Sequence, residues 1–128
     1  MPDFSSAWIL LVFGIALAYV YAFVGGFTDA ANAIATAVGT RAFTPTQAVL
    51  VAAVFEVLGA LTGTAVALTI GQGIVPPDVL TQTAVAAALL GAMSWSLATY
   101  YFGIPVSETH GLIGGIVGVG IYSGALMP

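Results

Sequence analysis

The sequence of 128 residues contains no cysteine and very few charges. Without cysteine, the chain has no disulfide framework, no thiolate nucleophile and no cysteine-based metal site. Lys and Arg together number one and Asp and Glu number five, so 5% of the residues are charged. Soluble domains carry roughly 25% charged residues. Nucleic-acid binding needs clustered basic side chains to neutralise phosphates, so we expect no nucleic-acid partner.

Two further classes of protein are excluded by missing motifs. The chain has no G-x-x-x-x-G-K-[ST] loop, so ATP-driven transport is not expected. Ser107 and His110 lie within one helical turn, too close along the chain to serve as nucleophile and base. We therefore expect no enzymatic activity and no cofactor.

Hydrophobic residues, by contrast, make up 60% of the chain and fall in long stretches. The first runs from residue 6 to 24, and about 20 apolar residues are enough to span a bilayer. We predict an all-α membrane protein, with residues 1–128 as a single transmembrane domain in a lipid bilayer. It should contain four to five transmembrane or re-entrant helices.

The breaks between stretches predict where the later helices begin. We expect helices over residues 45–70, 79–102 and 107–126. Thr44 and Pro45 suit the N-cap and first position of a helix, and Ser107 also suits an N-cap. Asp78 is the predicted cap of the middle helix, after a loop over residues 71–78 that is rich in glycine and proline.

The segment over residues 26–40 is polar for its position. Gly25 and Gly26 each cost up to about 1 kcal/mol in a helix, so the segment is predicted to be a broken or re-entrant helix. Asp29 and Asn32 share one helix face. Their oxygens, with freed carbonyls, suit Na⁺. The segment also offers the hydroxyls of Thr28 and Thr36.

The alternative for this segment is structural. Asp29 would then cap a helix entry, and Asn32 would bond across helices. A charge at membrane depth is costly and is usually kept for a function. This favours a cation site, with Asp29 and Asn32 as the predicted metal ligands and Thr36 contributing oxygen.

A second polar segment begins at Ser107. Thr109 and His110 would lie in the first turn of its helix, and helix N-termini bind anions. Two hydroxyls and a histidine donor suit an oxyanion such as phosphate or sulfate, although Ser107 can equally be a plain N-cap. Glu108 is ambiguous, because its carboxylate would repel an anion yet suits the helix dipole. We assign it no role.

Glu56 stands alone in an apolar helix. It can pair with Arg41 or make a polar contact across helices. The cost of an ionised Glu at membrane depth favours a role in ion or proton coupling instead.

These segments resemble the motifs of the inorganic phosphate transporter (PiT) family. Residues 26–36 are similar to its signature, approximately G-x-[NH]-D-x-A-N-x-x-x-T, and residues 41–45 to the turn that follows. Residues 55–60 (FEVLGA) resemble the F-[EN]-x-x-G-A segment, and residues 105–110 the P-[VI]-S-x-T-H motif. One departure is Thr28, which stands where the family has Asn or His.

The resemblance implies a carrier of inorganic phosphate coupled to Na⁺ or H⁺. Asp29 and Asn32 would belong to the first motif, and Glu56 matches an acid that the family ties to transport. Phosphate would be bound by four residues, Ser107, Thr109, His110 and Thr28.

Family members contain two inverted repeats, and this chain resembles one of them. Arg41 is the sole Lys or Arg, so little positive-inside bias sets the orientation. We expect an antiparallel homodimer in the cell inner or plasma membrane. The alternatives are a fragment of a longer carrier, a carrier of another anion (sulfate, less readily fluoride), and a non-transporting membrane subunit.

Overall fold

The computed structural model describes residues 4–124, which form five α-helices. They are α1 (Phe4–Gly39), α2 (Pro45–Thr62), α3 (Ala65–Gly73), α4 (Gln82–Tyr101) and α5 (Glu108–Ser123). Three helices, Ser6–Gly39 within α1, α2 and α4, are long and apolar enough to cross a membrane. Over the described range all regular elements are helical, which confirms the predicted all-α membrane fold.

The predicted break in residues 26–40 is wrong, because α1 continues as one helix of 36 residues through Gly25 and Gly26. At 1.5 Å per residue, it is about 54 Å long. A cost of up to about 1 kcal/mol per glycine is small beside the packing of a long helix. The hydroxyl of Thr28 also lies 2.9 Å from the carbonyl oxygen of Val24, one turn back, within the continuous helix.

The helix predicted over residues 45–70 is instead divided into α2 and α3. Gly63, at the end of α2, has extended backbone angles (φ −148°, ψ 120°). Thr62 and Thr64 flank this glycine, and none of the three residues is a strong helix former. α3 extends to Gly73, so the predicted loop begins later than residue 71.

Two of the three predicted helix caps are confirmed. Thr44 caps α2 with a capping box to Gln47. Ser107 caps α5, accepting a hydrogen bond from the backbone N–H of His110 at 3.4 Å. Asp78 does not cap α4: Thr81 does, accepting from the backbone of Ala84.

The misplaced cap has a local cause. The backbone N–H groups of Val79 and Leu80 donate to the carbonyl oxygens of the two prolines before Asp78, which closes two turns. These turns delay the start of α4 by three residues.

At the other end of the fold, α5 ends at Ser123, with Gly124 in the left-handed region. The end predicted at residue 126 lies outside the described residues.

Helix α4 lies between α1 and α5, while α2 packs on α1. The crossing of α4 and α5 is close at Gly115, where a Cβ atom would lie 2.4 Å from the carbonyl oxygen of Ala88. Small residues allow such close approach between membrane helices. This crossing and the contact of Leu17 with Leu89 and Met93 fix the three helices around the polar segments.

Candidate functional site

The polar segment of α1 presents its predicted residues on a continuous helix. Asn32 donates a hydrogen bond from Nδ2 to Oδ1 of Asp29 at 2.6 Å, and both side chains are exposed. Thr36 lies one turn further on and is also exposed. Residues spaced by three and four share one helix face. The three predicted cation ligands of this segment therefore form one polar face.

Glu108, to which the sequence analysis gave no role, is a centre of contacts between helices. Thr28 of α1 donates to Glu108 Oε1 at 2.7 Å, and Ser96 of α4 donates to Glu108 Oε2 at 2.6 Å. The hydroxyl of Tyr21 donates to the backbone carbonyl of Glu108 at 3.0 Å. The half-buried side chain of Glu108 thus joins α1, α4 and the start of α5.

The carboxylate of Glu108 competes with main-chain acceptors for both hydroxyls. Thr28 Oγ1 also lies 2.9 Å from the carbonyl oxygen of Val24, and Ser96 Oγ lies 3.1 Å from that of Ala92. Each hydroxyl has one proton to donate. Thr28 Oγ1 and Ser96 Oγ both lie closer to the Glu108 oxygens than to these main-chain carbonyls. The two protons therefore go to Glu108.

Three carboxylates line one cavity of about 540 Å³ between the helices. We call it the acidic cavity, defined by Asp29, Glu56 and Glu108. Thr109, at the start of α5, also lines it. The structure thus brings Glu56 of α2, the predicted coupling residue, to the same cavity as Asp29 of the first motif, although the two residues are far apart in sequence.

A second cavity, of about 400 Å³, adjoins the first. Asp29 and Glu108 belong to both, and here they are joined by Thr28, Asn32 and Ser96. Among the described side chains, no group of three or more His, Asp or Glu residues is close enough to hold a metal ion. Oxygen ligands for a cation would include hydroxyl and amide groups beside the carboxylates.

Ser107 and His110 face a different cavity, of about 660 Å³, whose lining also includes Trp95 and Gly111. The four predicted phosphate residues are therefore not gathered in one place. Thr28 and Thr109 lie beside the carboxylates, while Ser107 and His110 face this third cavity.

The fold and these cavities define a class: an integral membrane protein of packed helices with a polar, acidic site between them. The model of the phosphate transporter family matches residues 25–127. The chain belongs to that family, which confirms the resemblance found in the motifs.

Relatives named "Probable low-affinity inorganic phosphate transporter" are similar in sequence over most of this chain. Those of Rhizobium meliloti (strain 1021) and Streptomyces halstedii are each 47% identical, over 93% and 91% of this chain. The relative of Bacillus subtilis (strain 168) is 46% identical over 88%. The chain spans 36%, 55% and 34% of these relatives, respectively. No solved structure gives a significant match.

Proposed function

We propose that the chain carries inorganic phosphate across a membrane together with a cation, Na⁺ or H⁺. Family membership and the printed names of the relatives support phosphate as the substrate. The observation that carries the coupling is the acidic cavity. Phosphate cannot approach the carboxylates of Asp29 and Glu56 without a cation between the like charges, because their repulsion is strong where water is scarce. The carboxylate of Glu108 is already bonded by the hydroxyls of Thr28 and Ser96.

In this proposal the cation is bound on the α1 face. Asp29 and Asn32 supply a carboxylate and an amide oxygen as the metal ligands, and Glu56 lines the acidic cavity together with Asp29. Thr36 adds a hydroxyl further along α1. Such hard oxygen ligands suit Na⁺, and a carboxylate can equally take up a proton.

Phosphate would bind at the start of α5, where free backbone N–H groups and the helix dipole favour an anion. Thr109 lines the acidic cavity, and Thr28 adjoins Asp29. Ser107 and His110 face the neighbouring cavity. For Ser107 and His110 to contact the bound phosphate, the two cavities must connect around the first turn of α5. In this proposal they connect when the carrier switches between its outward-open and inward-open states.

Uptake of labelled phosphate into proteoliposomes tests this function. Asp29→Asn removes a charge with little change in shape, and we expect it to reduce uptake at least tenfold. Asp78→Asn is the matched control, since Asp78 is an exposed loop carboxylate away from the cavities, and it should transport normally. Equal uptake by the two variants contradicts the proposal. Competition by sulfate stronger than that by unlabelled phosphate would favour sulfate as the substrate.

We further propose that two copies assemble antiparallel in the cell inner or plasma membrane. Asp29, Asn32 and Glu56 are exposed in the single chain, and polar groups at membrane depth normally face protein or a water-filled cavity. A second copy, inverted, would cover them and supply a second set of motifs.

The orientation can be measured because the chain has no cysteine. A single cysteine placed at exposed Thr81 is labelled with a membrane-impermeant thiol reagent from each side in turn. An antiparallel assembly gives about half labelling from either side. Labelling from one side alone would overturn the dual orientation and favour the other half of a longer carrier as the partner.

A further inference from the structure

The contacts of Glu108 have a consequence for transport that the motifs do not contain. We propose that Glu108 is a positioning residue, whose carboxylate holds the Asp29–Asn32 face of α1 at a fixed place relative to the first turn of α5. The inference rests on the proposed function, since what is positioned is the phosphate and cation site.

The contacts around Glu108 suit a tie between helices rather than a free ligand. Both carboxylate oxygens accept a hydroxyl proton, from Thr28 at 2.7 Å and from Ser96 at 2.6 Å. Ser96 is 1% exposed, so its bond is shielded from water. Hydrogen bonds to charged groups contribute more than neutral ones when shielded in this way.

The tie acts at the point where positioning matters. Thr28 immediately precedes Asp29, so a bond to Thr28 fixes the first residue of the polar face. Glu108 itself lies between Ser107 and Thr109, and Tyr21 holds its main chain. A shift of Glu108 would therefore move the start of α5 relative to α1.

The tie is separate from the packing that keeps the chain folded. Leu17 of α1 contacts Leu89 and Met93 of α4, and Gly115 fixes the crossing of α4 and α5. Glu108 takes part in neither contact. Loss of its side chain should leave the helices packed while the polar groups lose their register.

Two substitutions separate shape from charge. In Glu108→Gln, the carboxamide oxygen accepts from one hydroxyl, and the NH₂ group donates to the other. That hydroxyl can turn its own proton to the main-chain carbonyl one turn back, so both helix contacts survive. In Glu108→Ala neither contact can form.

We expect Glu108→Ala to raise the KM for phosphate about tenfold, and the KM of Glu108→Gln to stay within about twofold of wild type. Uptake rates are normalised to the amount of folded carrier. A Gln variant as impaired as the Ala variant overturns the proposal, because the charge would then matter rather than the tie. An unchanged KM in both, with only the yield of folded protein reduced, also overturns it.

Ser96→Ala supplies an independent check. It removes one of the two ties and should raise KM less than Glu108→Ala does. The double variant Ser96→Ala/Glu108→Ala should be no worse than Glu108→Ala alone, since the shared interaction is already absent. Additive losses would contradict the tie.

A distance measurement keeps this test apart from that of phosphate transport. Spin labels at cysteines replacing Phe23 and Ile104, which are 73% and 54% exposed, report the separation between the polar segment of α1 and the chain that leads into α5. Glu108→Ala should broaden or shift the distance distribution, and Glu108→Gln should not. An unchanged distribution in Glu108→Ala overturns the tie. If the wild-type chain carries no phosphate while Glu108→Ala still shifts the distance distribution, only the proposed function fails.

Discussion

The close crossing of α4 and α5 predicts the outcome of a single added methyl group at Gly115. In Gly115→Ala, the new Cβ would lie 2.4 Å from the carbonyl oxygen of Ala88 and 3.2 Å from its Cα. Ordinary carbon–oxygen contacts are about 3.3 Å or longer, so the helices must separate by roughly 1 Å. Overpacking of this kind typically costs about 1–3 kcal/mol.

Gly114→Ala is the matched control, because a Cβ at Gly114 meets no atom within 4 Å. Both variants gain the same helix propensity, up to about 1 kcal/mol, so the difference between them isolates the steric term. We expect Gly115→Ala to unfold at about 1–3 kcal/mol lower free energy than Gly114→Ala, measured by denaturant titration in detergent with circular dichroism. Equal stability of the two variants would refute the close crossing.

Two further predictions concern the turns. Thr81→Ala removes the N-cap of α4 and should cost about 1 kcal/mol of unfolding free energy, while Asp78→Ala should cost almost nothing; the reverse order in the same titration would restore Asp78 as the cap. Arg41 has a φ of 60°, so Arg41→Gly should stabilise the chain by about 1 kcal/mol, relative to Arg41→Ala, which keeps a Cβ in the left-handed region. Equal melting temperatures for the two Arg41 variants would show that the residue is unstrained.

Helix starts could be predicted from the sequence because their chemistry is local. Thr44 followed by Pro45, and Ser107 after a proline, supply the N-cap and the break within a few residues. The cap of α4 was misplaced because two candidate residues, Asp78 and Thr81, lie close together. The turns that close on the two prolines before Asp78 decided between them.

Helix breaks were harder to predict, since glycine is only a weak signal. The Gly25–Gly26 pair was expected to weaken the helix and give a broken or re-entrant segment, and it does not, whereas Gly63 does end α2. In each case the intrinsic cost is about 1 kcal/mol. Packing against the other helices, which the sequence does not display, decides the outcome.

The candidate site divides in the same way between local and distant contacts. Asp29 and Asn32 were recognisable as a pair because they lie three residues apart, and the structure joins them by a hydrogen bond. Glu108 was missed because its partner on α1 is 80 residues away in the sequence. One signal was present: Thr28 departs from the family signature, and it is this residue that contacts Glu108.

The central claim is that the acidic cavity couples phosphate to a cation. Its most direct test is the accumulation of labelled phosphate in proteoliposomes that contain only this chain, under an inward gradient of Na⁺ or H⁺. We predict accumulation above the external concentration with one of the two gradients, and loss of that accumulation when an ionophore dissipates the gradient. Phosphate that never accumulates, or that accumulates equally with both gradients dissipated, would contradict the account.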